Sequence, residues 1–447
     1  MVHSLLHSKL KRTKVFEINA SMIDQSLNLM GWVRTCRAQK GMTFIELNDG
    51  SSIKNIQLIS DQEHPLLTGT SIHVTGTLVK SPSPKQPFEV RVEHLHVIGE
   101  ADSTFPLQKK GHTLDFLREI AHLRPRTNTF GAVSRVRSRI AFAAHEFFQK
   151  RHFFYVQTPV ITSSDCEGAG ELFELVSETK NFFGKKAFLT CSGQLNGECY
   201  ATALGDIYTF GPTFRAENSH TSRHLAEFWM IEPEMAFADL EQNMELAESF
   251  IKHLVKTALE ECSDDLNFFE ERYEKGLKER LNVVLTQPFA RISYTDAVDI
   301  LLKSGISFQY PVEWGKDLQS EHERYIAETV VGGPVILYNY PKTLKPFYMK
   351  ANPDGTTVAC MDVLVPKIGE IIGGSQREDN FVLLEKGIRS HGLNPEDYSW
   401  YLDLRRYGTV PHSGFGLGFE RAVQFITGME NIRDIIAFPR AAGLCSF

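Results

Sequence analysis

Between Phe210 and Phe237 the chain reads FGPTFRAENSHTSRHLAEFWMIEPEMAF. This run sets Arg215, Glu217, Arg223, His224, Phe228, Glu232 and Glu234 in or beside two apolar, aromatic segments, GPTFRAE and EFWMIEPEMAF, joined by the polar ENSHTSRH. Apolar residues broken at intervals by polar ones over such short segments predict a buried antiparallel hairpin. Cations and carboxylates carried on rigid strands, with an aromatic between them, suit a triphosphate and a flat base. Charges on a hairpin ordinarily form its solvated face. Here Arg215 and Glu217 stand two apart on one face of an apolar strand, and Glu232 and Glu234 repeat the arrangement on the return strand. Charge at that density inside a sheet is costly without partners or a ligand.

Two further segments carry the same kind of chemistry. Gly414–Arg421 reads GFGLGFER and leads into AVQFITGMENIRDIIAFPR. Its glycines permit close approach of backbone to a ligand, and the pattern predicts a helix over Phe419–Thr427 with Arg421 near its start. The plain alternative is a tight strand-to-helix turn with a surface arginine, and the spacing is not the Rossmann fingerprint. Met361–Glu378 reads MDVLVPKIGEIIGGSQRE, in which Asp362 and Glu370 flank an apolar strand-like stretch and Arg377 follows a Gly-Gly turn. Carboxylates beside a polyphosphate commonly hold Mg²⁺.

The elements that must position these residues are also legible. Val133, Val136, Ile140, Ala144 and Phe147 recur at helical spacing and predict an amphipathic helix from about Gly131 to Lys150, followed by RHFFYVQTPVIT. Toward the N-terminus, Leu27–Arg34, Thr43–Asn48, Lys54–Ser60, Ser71–Lys80 and Glu89–Ile98 are β-rich, with turn residues at Asp49-Gly50, Pro65 and Ser81–Pro84. Five short strands predict a small barrel, with the OB-fold as first choice. Phe44 lies on a strand whose face could stack a base, with Gln57 on the next strand. The competing reading is that Phe44 belongs to the barrel core.

FRAE followed by the Arg-His turn and EF resembles motif 2 of the class II aminoacyl-tRNA synthetases. GFGLGFER is similar to motif 3, and the helix with RHFFYVQTPVIT, including Pro159, to motif 1. A barrel preceding such a core matches the subclass charging aspartate, asparagine and lysine. The resemblance implies an α+β chain whose catalytic domain is an antiparallel sheet flanked by helices. It implies an anticodon-binding OB-fold over residues 1–102, a linker over 103–128 and a catalytic domain over 129–447, with motifs at about 131–162, 210–237 and 414–440. It also implies ATP as co-substrate, Mg²⁺ on Asp362 and Glu370, tRNA as partner and a homodimer through motif 1. In this family Arg215 and Arg421 act on the phosphates, helped by Arg223 or His224. Glu217 and Phe228 match the residues that recognise and stack on adenine. Glu167, Ser192, Gln194 and Glu232 match positions that hold the amino acid, and Phe44 and Gln57 match positions that contact the anticodon.

The choice of amino acid rests on LTCSGQLNGECY, residues 189–200. The aspartate enzymes carry a lysine, which neutralises the substrate carboxylate, where this chain has Gly197. Arg377 is then the matched cation left for the side chain, and an amide needs one donor and one acceptor. Arg377 to the amide oxygen and a carboxylate to the amide nitrogen would satisfy it. SGQLNGE, DCEGAGELFE and GEIIGGSQRE resemble the asparaginyl-tRNA synthetases, which implies L-asparagine as substrate and tRNA(Asn) as partner. An aspartate-specific enzyme and a paralogue that no longer charges tRNA are the competing readings. The first is opposed by Gly197, the second by the intact Arg215, Glu370 and Arg421. The tail FPRAAGLCSF keeps Arg440 but departs from the family's usual Thr-Pro.

Composition sets wide bounds. At 447 residues, 42% hydrophobic and 23% charged, the chain reads as two or three domains of a soluble protein. No apolar run approaches the ~20 residues that span a bilayer. Seven cysteines without a C-x-x-C pair argue against a disulfide framework or a zinc ribbon, and a reducing, cytoplasmic compartment is the expectation. His220 and His224 have metal-like spacing but lie in the polar turn. The net charge of −7 does not exclude RNA, because phosphate contacts are local. Lys9, Lys11, Arg12 and Lys14 form a basic arm that could face RNA. Arg118, Arg124, Arg126, Arg135, Arg137 and Arg139 face either tRNA or, for the last three, simply the polar side of a helix. Residues from about 240 to 278 read as acidic helices, and those from about 290 to 340 as an insertion.

Overall fold

The computed structural model describes residues 11–447 apart from Lys85, Glu167, Ala169, Gly170, Lys180, Asn181 and His220. Glu167, expected at the amino acid, therefore lies outside the described residues, as do His220 and Lys9. The chain divides into two compact units between Ala132 and Val133.

In the first unit, β1 (Ser26–Gln39), β2 (Met42–Asn48), β3 (Ile56–Ser60), β4 (Ser71–Lys80) and β5 (Phe88–Gly99) close into a barrel in the order β1-β2-β3-β5-β4. Leu27, Leu29, Val33, Ile45, Leu47, Leu58, Ile72, Val74, Leu78 and Val90 fill it. Because side chains alternate along a strand, the buried Thr43, Ile45 and Leu47 put Phe44 and Glu46 on the outside. Phe44 is thus not core, and Arg37 lies over its ring at 5.2 Å. The stretch read as a linker holds a small core of its own, in which Phe105 and Leu114 pack with Leu107, Leu117 and Phe130.

In the second unit, β6 (Phe154–Tyr155), β9 (Asp206–Phe214), β10 (Glu227–Ala236), β11 (Ala290–Ser293), β12 (Val335–Tyr338), β13 (Cys360–Val365), β14 (Gly369–Gln376) and β15 (His412–Gly418) form one sheet; β7 (Ile161–Thr162) and β8 (Phe188–Leu189) pair separately. The sheet order is β11-β12-β13-β14-β15-β10-β9-β6. Its interior is antiparallel as expected, but the outermost pairs, β11 with β12 and β6 with β9, are parallel. The region read as an insertion thus begins and ends in strands of the main sheet. Two further expectations need correction. Arg215 and Glu217 lie just past the end of β9 rather than on a strand, and Asp362 and Glu370 lie on the two arms of the β13–β14 hairpin rather than at the ends of one strand.

The sheet's two faces differ because β15 alternates. Glu234 pairs with Gly414 and Met230 with Gly418, while Ile231 pairs with Leu417. Gly414, Gly416 and Gly418 leave one face bare, and Phe415 and Leu417 bury the other. On that buried face lie the helix Leu240–Glu261, whose Phe250 ring sits 6.3 Å from Phe415, and the helix Asn128–Gln149, whose Phe148 stacks on Tyr208 at 4.7 Å. Arg135, Arg137 and Arg139 of the latter helix pair with Asp265, Glu420 and Glu261. These three arginines are committed to internal ion pairs, because acidic residues of neighbouring helices meet the polar side of their helix. The helix Phe419–Thr427 forms as predicted and stops where Gly428 takes a left-handed φ of 69°. No helix among the described residues is long and apolar enough to cross a membrane.

Candidate active site

The glycine-bearing face of the sheet opens into a cleft. Arg215, Glu217, Arg223, His224, Phe228, Glu370 and Arg421 all line it. The hairpin supplies the first five, β14 supplies Glu370, and Arg421 enters from the first turn of its helix. Arg215 lies 5.3 Å from the centre of the Phe228 ring, so a flat, cation-edged shelf forms one wall. Glu217 lies 3.6 Å from His224, whose Nδ1 is 3.0 Å from Ser219 Oγ. Arg223 donates to Ser320 Oγ at 2.7 Å. Burial lowers its pKa, Glu323 opposes that, and the like charges of Arg421 and Arg324 add to it. Cations crowded together in this way are relieved by a polyanion.

Glu370 lines the cleft, and Asp362 lies beside it. A Cβ at Gly373 would lie 3.0 Å from Glu370 Oε1 and 3.7 Å from Asp362 Oδ1, so both lean over one glycine. Asp362 accepts from Lys345 Nζ at 2.7 Å, and Arg421 Nη1 donates to Glu370 O at 2.9 Å and to Oε2 at 3.2 Å. Glu323 is a third acid here, which sequence reasoning missed because it comes from the region read as an insertion. Burial, with Glu370 and Asp362 beside it, pushes its carboxyl up to about 8. Two carboxylate oxygens over one bare glycine make a donor set that fits Mg²⁺ with phosphate oxygens completing its shell.

The described residues expected at the amino acid are hydrogen-bonded to one another and to their surroundings. Glu232 is buried and already accepts from Ser192 Oγ, from Gly193 N at 3.0 Å and from Thr209 Oγ1 at 2.8 Å. It ties the start of the helix Gln194–Leu204 to β10. The structure brings Ser192 and Glu232 together, while Gln194 Nε2 donates to Glu198 Oε1 at 3.1 Å.

Arg377 is 2% exposed. Its Nε and Nη2 form a fork on the Glu234 carboxylate, the Nε contact at 3.1 Å, and its Nη1 donates to Ser375 Oγ at 2.8 Å. This leaves one proton on each of Nη1 and Nη2 and free lone pairs on Glu234. Burial raises the Glu234 carboxyl, Arg377 pulls it down, and Glu198 adds to the rise. A Cβ at Gly414 would lie 2.4 Å from the Glu234 carboxyl carbon, which is why β15 is bare at that point. Gly197 faces the same carboxylate, its absent Cβ 3.8 Å from Glu234 Cγ. Glu234 had no role assigned from sequence, although its two-residue spacing from Glu232 places both on one strand face.

In the barrel, Gln57 is the cross-strand partner of the outward Glu46 and donates from Nε2 to Ile45 O at 3.0 Å. With Phe44 it lies on the outer surface of β2 and β3.

Comparison with known proteins agrees with this architecture. Residues 114–442 match the family described as tRNA synthetases class II (D, K and N), and residues 27–98 the OB-fold nucleic acid binding domain. The chain is 55% identical to the chloroplastic/mitochondrial asparagine–tRNA ligase of Arabidopsis thaliana, over 96% of this chain and 82% of the relative. It is 54% identical to the asparagine–tRNA ligase of Protochlamydia amoebophila, over 98% and 100%. The asparaginyl-tRNA synthetase of Pyrococcus horikoshii, solved with asparaginyl-adenylate, superimposes with a TM-score of 0.89 at 34% identity, covering 97% of this chain and 99% of that one. The chain therefore belongs to the class II tRNA synthetases of the D, K and N group, and within it to the asparagine–tRNA ligase family.

Proposed function

We propose that this chain activates L-asparagine with ATP and transfers it to the 3′ end of tRNA(Asn), releasing pyrophosphate and AMP. The observation that carries the choice of amino acid is the buried Arg377–Glu234 fork. Its remaining N–H groups suit an amide oxygen, and its carboxylate suits an amide N–H. A substrate carboxylate would face Glu234 with like charge.

In the first step the asparagine α-carboxylate attacks the α-phosphorus, and the bond from that phosphorus to the bridging oxygen breaks as pyrophosphate leaves. Phe228 and Arg215 form the shelf for adenine and α-phosphate, and Glu217 reads the base edge. Arg215 meets the charge that builds at the α-phosphate, while Arg421 with Arg223 and His224 holds the departing phosphates. Asp362 and Glu370 are the residues that would hold Mg²⁺, which when bound offsets charge on the phosphate oxygens. In the second step a terminal ribose hydroxyl of the tRNA attacks the carbonyl carbon and AMP leaves, with its phosphate oxygen as the available proton acceptor. Phe44 and Gln57, on the barrel's outer surface, contact unstacked anticodon bases in this reading.

We also infer a homodimer through the motif 1 region, supported by the exposure there of Phe142 (62%) and Phe154 (53%), and a cytoplasmic location. Sedimentation tests the first. ATP–pyrophosphate exchange, run with asparagine and with aspartate, tests the activity. Exchange with asparagine alone is expected; exchange with aspartate refutes the reading of the fork, and silence with both refutes activation.

A further inference from the structure

Behind Arg377 lies a second buried carboxylate that none of the roles above uses. Glu198, in the second turn of the helix Gln194–Leu204, is 0% exposed. Its Oε2 accepts from Arg405 Nη2 at 2.8 Å and lies 2.8 Å from His412 Nε2; the Tyr401 hydroxyl is 2.8 Å from both of its oxygens. His412 Nδ1 lies 2.9 Å from Val410 O. A carbonyl only accepts, so Nδ1 is the donor there.

Such a cluster is expensive to bury, and its members come from three separated segments of the chain. Two contacts connect it to the amino-acid side. Glu198 Oε1 accepts the Gln194 side chain, and the same oxygen stands 3.9 Å from Arg377 Nε, close enough to attract the guanidinium but not to take its fork from Glu234. Arg377 is thus held between two carboxylates, bonded to one and drawn by the other. Without the charge of Glu198, Arg405 would lose its counter-ion, Gln194 its anchor and Arg377 one of the two charges that set its position.

We propose that Glu198 is a positioning residue for amino-acid recognition: by anchoring Gln194 and by balancing Arg377 against Glu234, it fixes the geometry that separates an amide from a carboxylate. The proposal rests on the reading that Arg377 and Glu234 contact the substrate side chain. The competing account is that Glu198 merely ties the helix Ser399–Arg406 to its neighbours. That role would lower stability and impair both substrates alike.

Glu198→Gln keeps the shape and removes the charge. Because displacements of ~1 Å at a reacting site can cost ~100-fold, we expect KM for asparagine in ATP–pyrophosphate exchange to rise about tenfold or more. The preference for asparagine over aspartate in kcat/KM should fall by a similar factor, with KM for ATP held within about twofold. Tyr401→Phe, which removes the hydroxyl's hydrogen bonds to Glu198 and from Arg405 but no charge, should move the same quantities about threefold, and it decides the matter if Glu198→Gln does not fold. An unchanged KM for asparagine, or asparagine and ATP constants rising together, overturns the proposal. Glu234→Gln run alongside separates the two levels. If it keeps the asparagine preference, the reading of the fork fails and this inference with it. If it loses the preference while Glu198→Gln keeps it, only the role of Glu198 fails.

Discussion

Replacing Glu234 by glutamine tests the selectivity argument most directly. The carboxylate is 1% exposed and holds both Nε and Nη2 of Arg377. An aspartate side chain entering in place of asparagine would bring a second negative charge to roughly 4 Å from it, which at an effective dielectric of about 20 costs about 4 kcal/mol. At about 1.4 kcal/mol per decade that is close to a thousandfold. Glu234→Gln removes this repulsion and leaves Arg377 short of a counter-charge, so aspartate gains while asparagine trades a charged acceptor for a neutral one. The ratio of kcat/KM for asparagine to that for aspartate, read by pyrophosphate exchange, should fall by two to three orders of magnitude, on the order of the Coulomb cost. The variant also loses one partner of a buried pair, which costs about 3–5 kcal/mol of stability, so the assay belongs below a melting temperature measured in parallel. The pH dependence carries a sign. Burial raises the Glu234 carboxyl above its ordinary value, while the Arg377 fork draws it back toward the ionised form. Once acid protonates it the carboxyl no longer repels aspartate, so the wild-type preference should weaken as pH falls, while the variant's ratio stays flat. A ratio that moves less than about tenfold refutes the assignment, since that is under half the repulsion expected in kcal/mol.

Other residues give independent tests. Arg215→Ala should abolish adenylate formation while leaving the melting temperature near wild type, because Arg215 lies beyond the end of β9; retained exchange excludes it from the α-phosphate. Phe44→Ala should reduce aminoacylation by the worth of one stacked base, about 1–3 kcal/mol, and spare tRNA-independent exchange, whereas equal losses in both assays would point to misfolding of the barrel. Gly414→Ala drives a Cβ to within 2.4 Å of the Glu234 carboxyl carbon and should cost asparagine activation along with stability; an active, stable variant would show that Glu234 can move without consequence. Burial pushes Glu198 up, but Arg405, the His412 hydrogen bond and Arg377 outweigh it and hold the carboxyl below its ordinary 4.5. Its stabilising contribution is therefore present above that value and lost as pH falls beneath it. Glu198→Gln should accordingly flatten acid unfolding monitored by circular dichroism below pH ~4.5, and an unaltered acid profile contradicts the depressed value.

Local patterns carried much of this molecule. The Phe210–Phe237 hairpin, the helix at Phe419–Thr427 and the five barrel strands are each specified by residues near one another in sequence, through period-two alternation and glycine punctuation. The same patterns concentrated the phosphate-facing cations, since Arg215, Arg223 and His224 share one hairpin. Even the outward placement of Phe44 follows from the phase of Thr43, Ile45 and Leu47. What local pattern could not supply was pairing between distant segments. Arg377 meets Glu234 across 143 residues, and Glu198 meets Arg405 and His412 across 207 and 214. Glu323 reaches the metal-type carboxylates from a stretch that reads as an insertion. Glu232 takes partners from Ser192, Gly193 and Thr209, well before it in the chain. A buried charge takes its state from whichever partners the fold brings within a few ångströms, and no periodicity along the chain encodes that. The sequence by itself determined which elements form and that a nucleotide-binding face exists. The tertiary structure decided which carboxylate answers Arg377, and with it how an amide is told from an acid.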